Sequence, residues 1–104
     1  MLDHLNKENT YRVTIEKIEL GSEKNHSLQF DFEDREDLFK TISRLKEGSG
    51  LEAKEATKTA VALRLLGPLM IKNRKHPLFI DFMPHFKTFM KHLKSTVKNS
   101  QKGD

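Results

Sequence analysis

Between Ala60 and Ile71 the chain carries a single charge, Arg64, in an otherwise apolar run. Ala53, Ala56, Ala60, Leu63, Gly67 and Met70 share one helical stripe at spacings of three and four, while Val61, Leu65, Leu66 and Leu69 occupy the opposite side. A helix that is apolar all round must be covered on every side. Arg64 and Pro68 interrupt the run, and it is too short to cross a bilayer. It is therefore expected to be the core, with Leu63, Leu66 and Met70 nearly fully buried. Pro68 cannot donate to the Arg64 carbonyl, so a kink or local break is expected near Gly67-Pro68.

The remaining elements arrange themselves around this helix. Tyr11, Val13 and Ile15 alternate with polar residues, as do Leu28, Phe30 and Phe32. That period of two marks half-buried strands. The polar, Gly-containing stretch 21–27 between them predicts an antiparallel hairpin with a mobile loop. Beyond Glu16 the phase slips, with Ile18 and Leu20 apolar, and a β-bulge near Lys17 would restore it.

After Phe32 the period changes to 3.6. Asp34 is read as the N-cap of a first helix, with Glu36 and Asp37 in its first turn. Leu38, Phe39, Ile42 and Leu45 then form its apolar face. Gly48-Ser49-Gly50 stops that helix, and Ser49 through Glu52 reads as a capping box for the next. Further on, His76 precedes Pro77 and is pushed out of the helical region. Phe79, Phe82, Phe86, Phe89, Met90, Leu93 and Val97 describe a third long helix, with Pro84 in its first turn. The expected architecture is α+β, an antiparallel β-hairpin followed by three helices packed on one face. One domain spans 1–104, ordered over about 10–97, with flexible ends at 1–8 and 98–104.

These residues carry a resemblance. The run from Tyr11 to Thr14, that from Leu28 to Glu33, Asp37-Leu38-Phe39, Leu66-Gly67, and Lys72-Asn73-Arg74-Lys75-His76-Pro77-Leu78-Phe79 resemble a family of small bacterial proteins of unknown function. The similarity spans roughly residues 10–95, and its most distinctive piece is the run 72–79. The resemblance implies a bacterial, cytoplasmic, stand-alone domain, and it brings no catalytic residue or ligand with it.

Composition narrows the chemistry. With no cysteine, disulfide scaffolds, thiolate metal sites and thiol catalysis are excluded. The N-terminal residues lack the basic-then-apolar order of a signal peptide, so a soluble, cytoplasmic protein is expected. His85 and His92 share a helix face with Asp81 one turn earlier, but a spacing of seven separates the imidazoles by about 10.5 Å, too far for one ion. The acidic residues Asp31, Glu33, Asp34, Glu36 and Asp37 lack the order of a calcium loop. No nucleophile elbow or phosphate-binding loop is present. Neither a catalytic residue nor a cofactor nor a metal is expected.

Charge divides along the chain. Residues 1–50 hold 8 Lys/Arg against 11 Asp/Glu, residues 51–71 hold 3 against 2, and residues 72–104 hold 8 against 2. Lys87, Lys91, Lys94 and Lys98 make a basic row down the third helix. Lys72, Arg74, Lys75 and His76 make a second cluster at a helix end, where Arg74 beside Asn73 and His76 could grip a carboxylate or phosphate. Such a row suits phosphates, yet it lacks the Arg, Asn and Gln that read bases. A solvated amphipathic face explains it as well. Two-stranded sheets are marginal alone and leave two open edges. The reading is therefore a non-catalytic self-association or protein-interaction module, most simply a homodimer whose acidic half meets a basic end. The alternative is a nucleic-acid or polyanion binder using these eight residues, and no membrane role is expected.

Overall fold

The computed structural model of the chain describes residues 8–19, 21 and 26–102. The chain divides into two compact units, Met1–Asp37 and Leu38–Asp104. The element order is β1 (Asn9–Glu16), β2 (Ser27–Asp34), α1 (Leu38–Gly48), α2 (Ala53–Lys72), α3 (Pro77–Ile80) and α4 (Met83–Lys102). The α+β class and the antiparallel hairpin stand as expected, and among the described residues the helices number four rather than three.

In the first unit β1 and β2 pair antiparallel without interruption, from Asn9 opposite Asp34 to Glu16 opposite Ser27. This register sets Tyr11, Val13 and Ile15 across from Phe32, Phe30 and Leu28. Side chains alternate faces along a strand, so all six lie on one face. The Tyr11 and Phe32 rings meet at 5.4 Å between centroids. Arg12, on the other face, donates to Asp31 at 2.9 Å. That hydrogen bond holds the Asp31 carboxyl below its ordinary range. Its small contribution is therefore present above the ordinary carboxylate pKa and lost as pH falls through the lowered one.

The bulge near Lys17 is absent. The strand ends at Glu16, the Lys17 N–H donates to the His26 carbonyl at 2.8 Å, and Ile18 is 79% exposed. The phase slip is resolved by ending the strand. Leu20 and the central loop residues 22–25 lie outside the described residues.

Asp34 does not cap α1. It closes β2, buried, and its Oδ1 accepts from the Glu36 N–H two residues on at 3.0 Å. A short aspartate side chain bonding its own backbone in this way bends the chain into a turn instead of opening a helix. Asn9 donates to the Glu36 carbonyl at 3.3 Å and the Tyr11 hydroxyl donates to the same oxygen at 3.4 Å. The helix begins only at Leu38, with no acidic residue in its first turn.

In the second unit Leu45, Ala56 and Ala60 form a buried cluster with Ile42, Leu93 and Val97 packed against it. The first half of α2 thus lies by the second half of α4, and Gly67 of α2 lies by Phe86 near the start of α4. The two helices run antiparallel. α1 packs against both, and its C-terminal end comes very close: a Cβ on Gly48 would lie 3.1 Å from the Val97 Cα. Ser49 N–H donates to the Leu45 carbonyl and Gly50 takes φ +86°, so the helix stops where its glycines indicate.

The capping box does not form. Ser49 Oγ accepts from the Leu51 N–H at 3.1 Å, a local turn that leaves Glu52 as the N-cap of α2 with no side-chain bond. α2 runs unbroken through Pro68. Met70 is fully buried, but Leu63 is only half-buried and Leu66 is 38% exposed. Phe39, expected on the inner face of α1, is 68% exposed. Length accounts for the shortfall over Leu63: an 11-residue α1 is about 16 Å long against about 30 Å for the 20-residue α2 and α4. It covers one half of the pair and leaves the other open.

The expected third helix begins with a separate turn. Pro77, with φ already fixed, starts α3 behind an extended His76, and α4 starts at Met83 with Pro84 in its first turn. α4 continues to Lys102, so residues 98–102 of the end expected to fray are helical. Residues 1–7, 103 and 104 lie outside the described residues.

Two glycines of this unit separate by their surroundings. Gly67→Ala places a methyl at ordinary contact, 3.7 Å from the Phe86 ring, inside a helix where alanine is favoured. The usual helix-interior gain of about 0.5–1 kcal/mol is offset by the crowding of a Cβ against the Pro68 ring, so stability should stay within about 0.5 kcal/mol of the unaltered protein. Gly48→Ala drives a methyl into the Val97 backbone, which cannot rotate aside, and should cost about 1–3 kcal/mol. Thermal or urea melts should show a clear loss for Gly48→Ala and little change for Gly67→Ala.

Candidate functional site

The open half of the α2–α4 pair forms a groove of about 400 Å³. Its floor is built from Leu63, Gly67 and Ile71 of α2 and Met83, Phe86 and Met90 of α4. Gly67 has no side chain, and a Cβ there would lie 3.7 Å from the Phe86 ring, so the ring packs over the α2 backbone at this point. Lys87, Lys91 and Lys94 line the same groove from α4. Their i, i+4, i+7 spacing repeats on one helix face. All three are exposed and make no ion pair among the described residues. Arg64 stands on the α2 side. The result is an apolar floor with a cationic wall.

Lys98 is exposed and lies outside this groove. It belongs to the same row on α4, but α1 occupies that end of the unit through Glu47, whose carbonyl accepts from the Ser100 hydroxyl at 3.5 Å.

Lys72, Arg74, Lys75 and His76 are brought together around a second, wider hollow of about 700 Å³. Two neighbours assigned there by sequence have other work. Asn73 caps α2: its side-chain amide donates to the Leu69 carbonyl at 2.8 Å, and its backbone N–H donates to the same oxygen at 3.0 Å. His76 caps α3, its Nδ1 accepting from the Leu78 N–H at 3.0 Å. That bond takes Nδ1 as the acceptor and leaves the other ring nitrogen, Nε2, as the donor. Asn73 keeps its second amide hydrogen and His76 its Nε2, so both capping residues retain a donor beside the three exposed cations Lys72, Arg74 and Lys75. Their charges sit at the C-terminal end of α2, where cations offset the helix dipole.

Among the described residues no group of three or more His, Asp or Glu side chains lies within reach of one metal ion. Asp81 closes α3, its N–H donating to the Phe79 carbonyl, and His85 and His92 are exposed. No helix among the described residues is long and apolar enough to cross a membrane.

Sequence reasoning found the lysines and missed the groove beside them. The signal was present: Met83, Phe86 and Met90 stand at the same spacing as core residues, and only the reach of α1 tells floor from core.

Residues 9–95, more than four-fifths of the chain, match a family described as a domain of unknown function with a solved structure, DUF3861. The chain belongs to the DUF3861 family. The run from Lys72 to Phe79 falls within the matched span. A crystal structure of a protein of unknown function from Pectobacterium atrosepticum is similar to this chain, with 32% identity and a TM-score of 0.75. The match covers 86% of this chain and 99% of that one. No curated protein matches the chain.

Proposed function

We propose that this DUF3861 chain is a non-catalytic module that works by associating with another protein chain, in the first instance its own copy. The observation that carries this reading is the apolar face of the hairpin. Ile15 and Leu28 are each 54% exposed and Phe30 40%, on a sheet of only two strands. Both outer edges of that sheet are unpaired among the described residues. A two-stranded sheet with a bare apolar face is marginal in water, and open edges invite pairing. The helical unit supports the same reading, because Leu69, Ile71, Leu78, Ile80 and Phe82 are all more than 45% exposed. Large apolar side chains exposed in such number are a common mark of interaction surfaces on small proteins.

Sedimentation equilibrium across the micromolar range tests it. The weight-average mass should rise with concentration from 12.1 kDa towards twice that value. A mass that stays at the single-chain value throughout would contradict the reading.

A second reading, polyanion binding, is favoured by one specific observation: Lys87, Lys91 and Lys94 lie together on one wall of the groove. Three phosphate contacts should give a slope of log affinity against log salt near −2.7 on duplex DNA, about −0.9 for each. Titration with a mixed-sequence duplex at several salt concentrations measures it, and no binding at low salt removes this alternative.

A further inference from the structure

Two features meet in the α2–α4 groove. Its floor is apolar, built by Leu63 and Ile71 from α2 and by Met83, Phe86 and Met90 from α4. Four cations and no carboxylate line it, in a unit that holds 14 Lys/Arg against 5 Asp/Glu over residues 38–104. Lys87, Lys91 and Lys94 are exposed and make no ion pair among the described residues. They spread over about 10.5 Å of the α4 axis. Beside them the floor extends about 12 Å along α2, from Leu63 to Ile71, and about 16 Å along α4, from Met83 to Lys94. That is the length of roughly two to three helical turns.

We infer that the groove seats an amphipathic helix of a different protein, with its apolar stripe on the floor and a row of Asp or Glu against the lysine wall. A helix laid in a groove is held by apolar anchors three and four residues apart. Carboxylates at the same repeat along that helix match Lys87, Lys91 and Lys94 one for one, because both rows share the helical rise. Other anions match half of the surface. A fatty acid fills the floor but brings one carboxylate to a row of three cations. A nucleic acid follows the row but sets charged phosphates over Phe86 and the methionines, where they find no polar partner. Met83 and Met90 give the floor unbranched, polarizable side chains that adapt to a foreign helix. A second copy of this chain does not supply that helix: the acidic residues on its four described helices are Glu47 and Glu55 alone. The inference therefore goes beyond self-association, with a different surface and a different partner.

Synthetic peptides test this by fluorescence anisotropy. The probe is a dye-labelled amphipathic helix of about 15 residues, the length at which isolated helices begin to hold in water. It carries Leu and Met along one stripe and Glu at i, i+4 and i+7 beside it. One control peptide has Lys in place of each Glu, and another has Ser in place of each Leu and Met. The full chain should bind the acidic amphipathic peptide saturably at one site and should not bind the Lys peptide. Two protein variants read the two halves of the groove: Lys87→Gln with Lys91→Gln and Lys94→Gln for the wall, and Ile71→Ser, at a position 58% exposed, for the floor. Each should raise the dissociation constant at least about tenfold, with circular dichroism checking the fold. Should the triple variant unfold, Ile71→Ser and the Lys peptide still decide. No binding of the acidic amphipathic peptide overturns the inference. So does equal binding of the Ser peptide or indifference to Ile71→Ser, either of which leaves a plain polyanion surface. Sedimentation of the chain alone reads self-association separately, so either reading can fail without the other.

Discussion

The close seat of α1 on α2 and α4 decides what the helical unit can cover. Gly48 against Val97 and the alanines at 56 and 60, each fully buried, let backbones approach at one end of the helix pair. Small residues make this contact tight, and a tight contact fixes where a short helix sits. With only 11 residues, α1 stops well before the far end of its partners. The apolar pattern of α2 continues past that point, and the pattern of α4 begins before it. The groove lined by Leu63, Gly67, Met83 and Phe86 is what remains. It is a consequence of unequal helix lengths along a common seam.

The hairpin poses a similar problem by a different route. Strict alternation from Tyr11 to Ile15 and from Leu28 to Phe32, paired in unbroken register, gathers six apolar side chains on one face. The turn after β2, held by Asp34, Asn9 and Tyr11, fixes how the chain leaves the sheet. Toward the loop end of that face, Ile15 and Leu28 stay more than half exposed. Burial of apolar area is the dominant favourable term in association, so an apolar face left bare is a physical reason for chains to meet.

How much of this was legible in the sequence depends on whether a feature is local. The antiparallel hairpin, the stop at Gly48-Ser49-Gly50, the place of Pro84 and the lysine row all follow from spacing and backbone chemistry. Asp34, Ser49 and His76 show the limit of local reasoning. Each can bond backbone in more than one way, and each chose a turn or cap that sequence pattern does not single out. Asn73 and His76 also cap the ends of α2 and α3, a second use of their polar atoms that spacing alone does not reveal. Leu63 and Leu66 failed as core residues for a non-local reason: periodicity shows that a face is apolar but not whether a neighbour is long enough to cover it.

Hydrogen exchange on β1 and β2 as a function of protein concentration tests the central claim most directly, that the hairpin face is completed by another chain. Amides of residues 11–15 and 28–32 should exchange fast in dilute solution and become protected as concentration rises through the micromolar range, in step with the gain in mass. Slow exchange at every concentration would show that the hairpin is stable by itself, and would contradict the account.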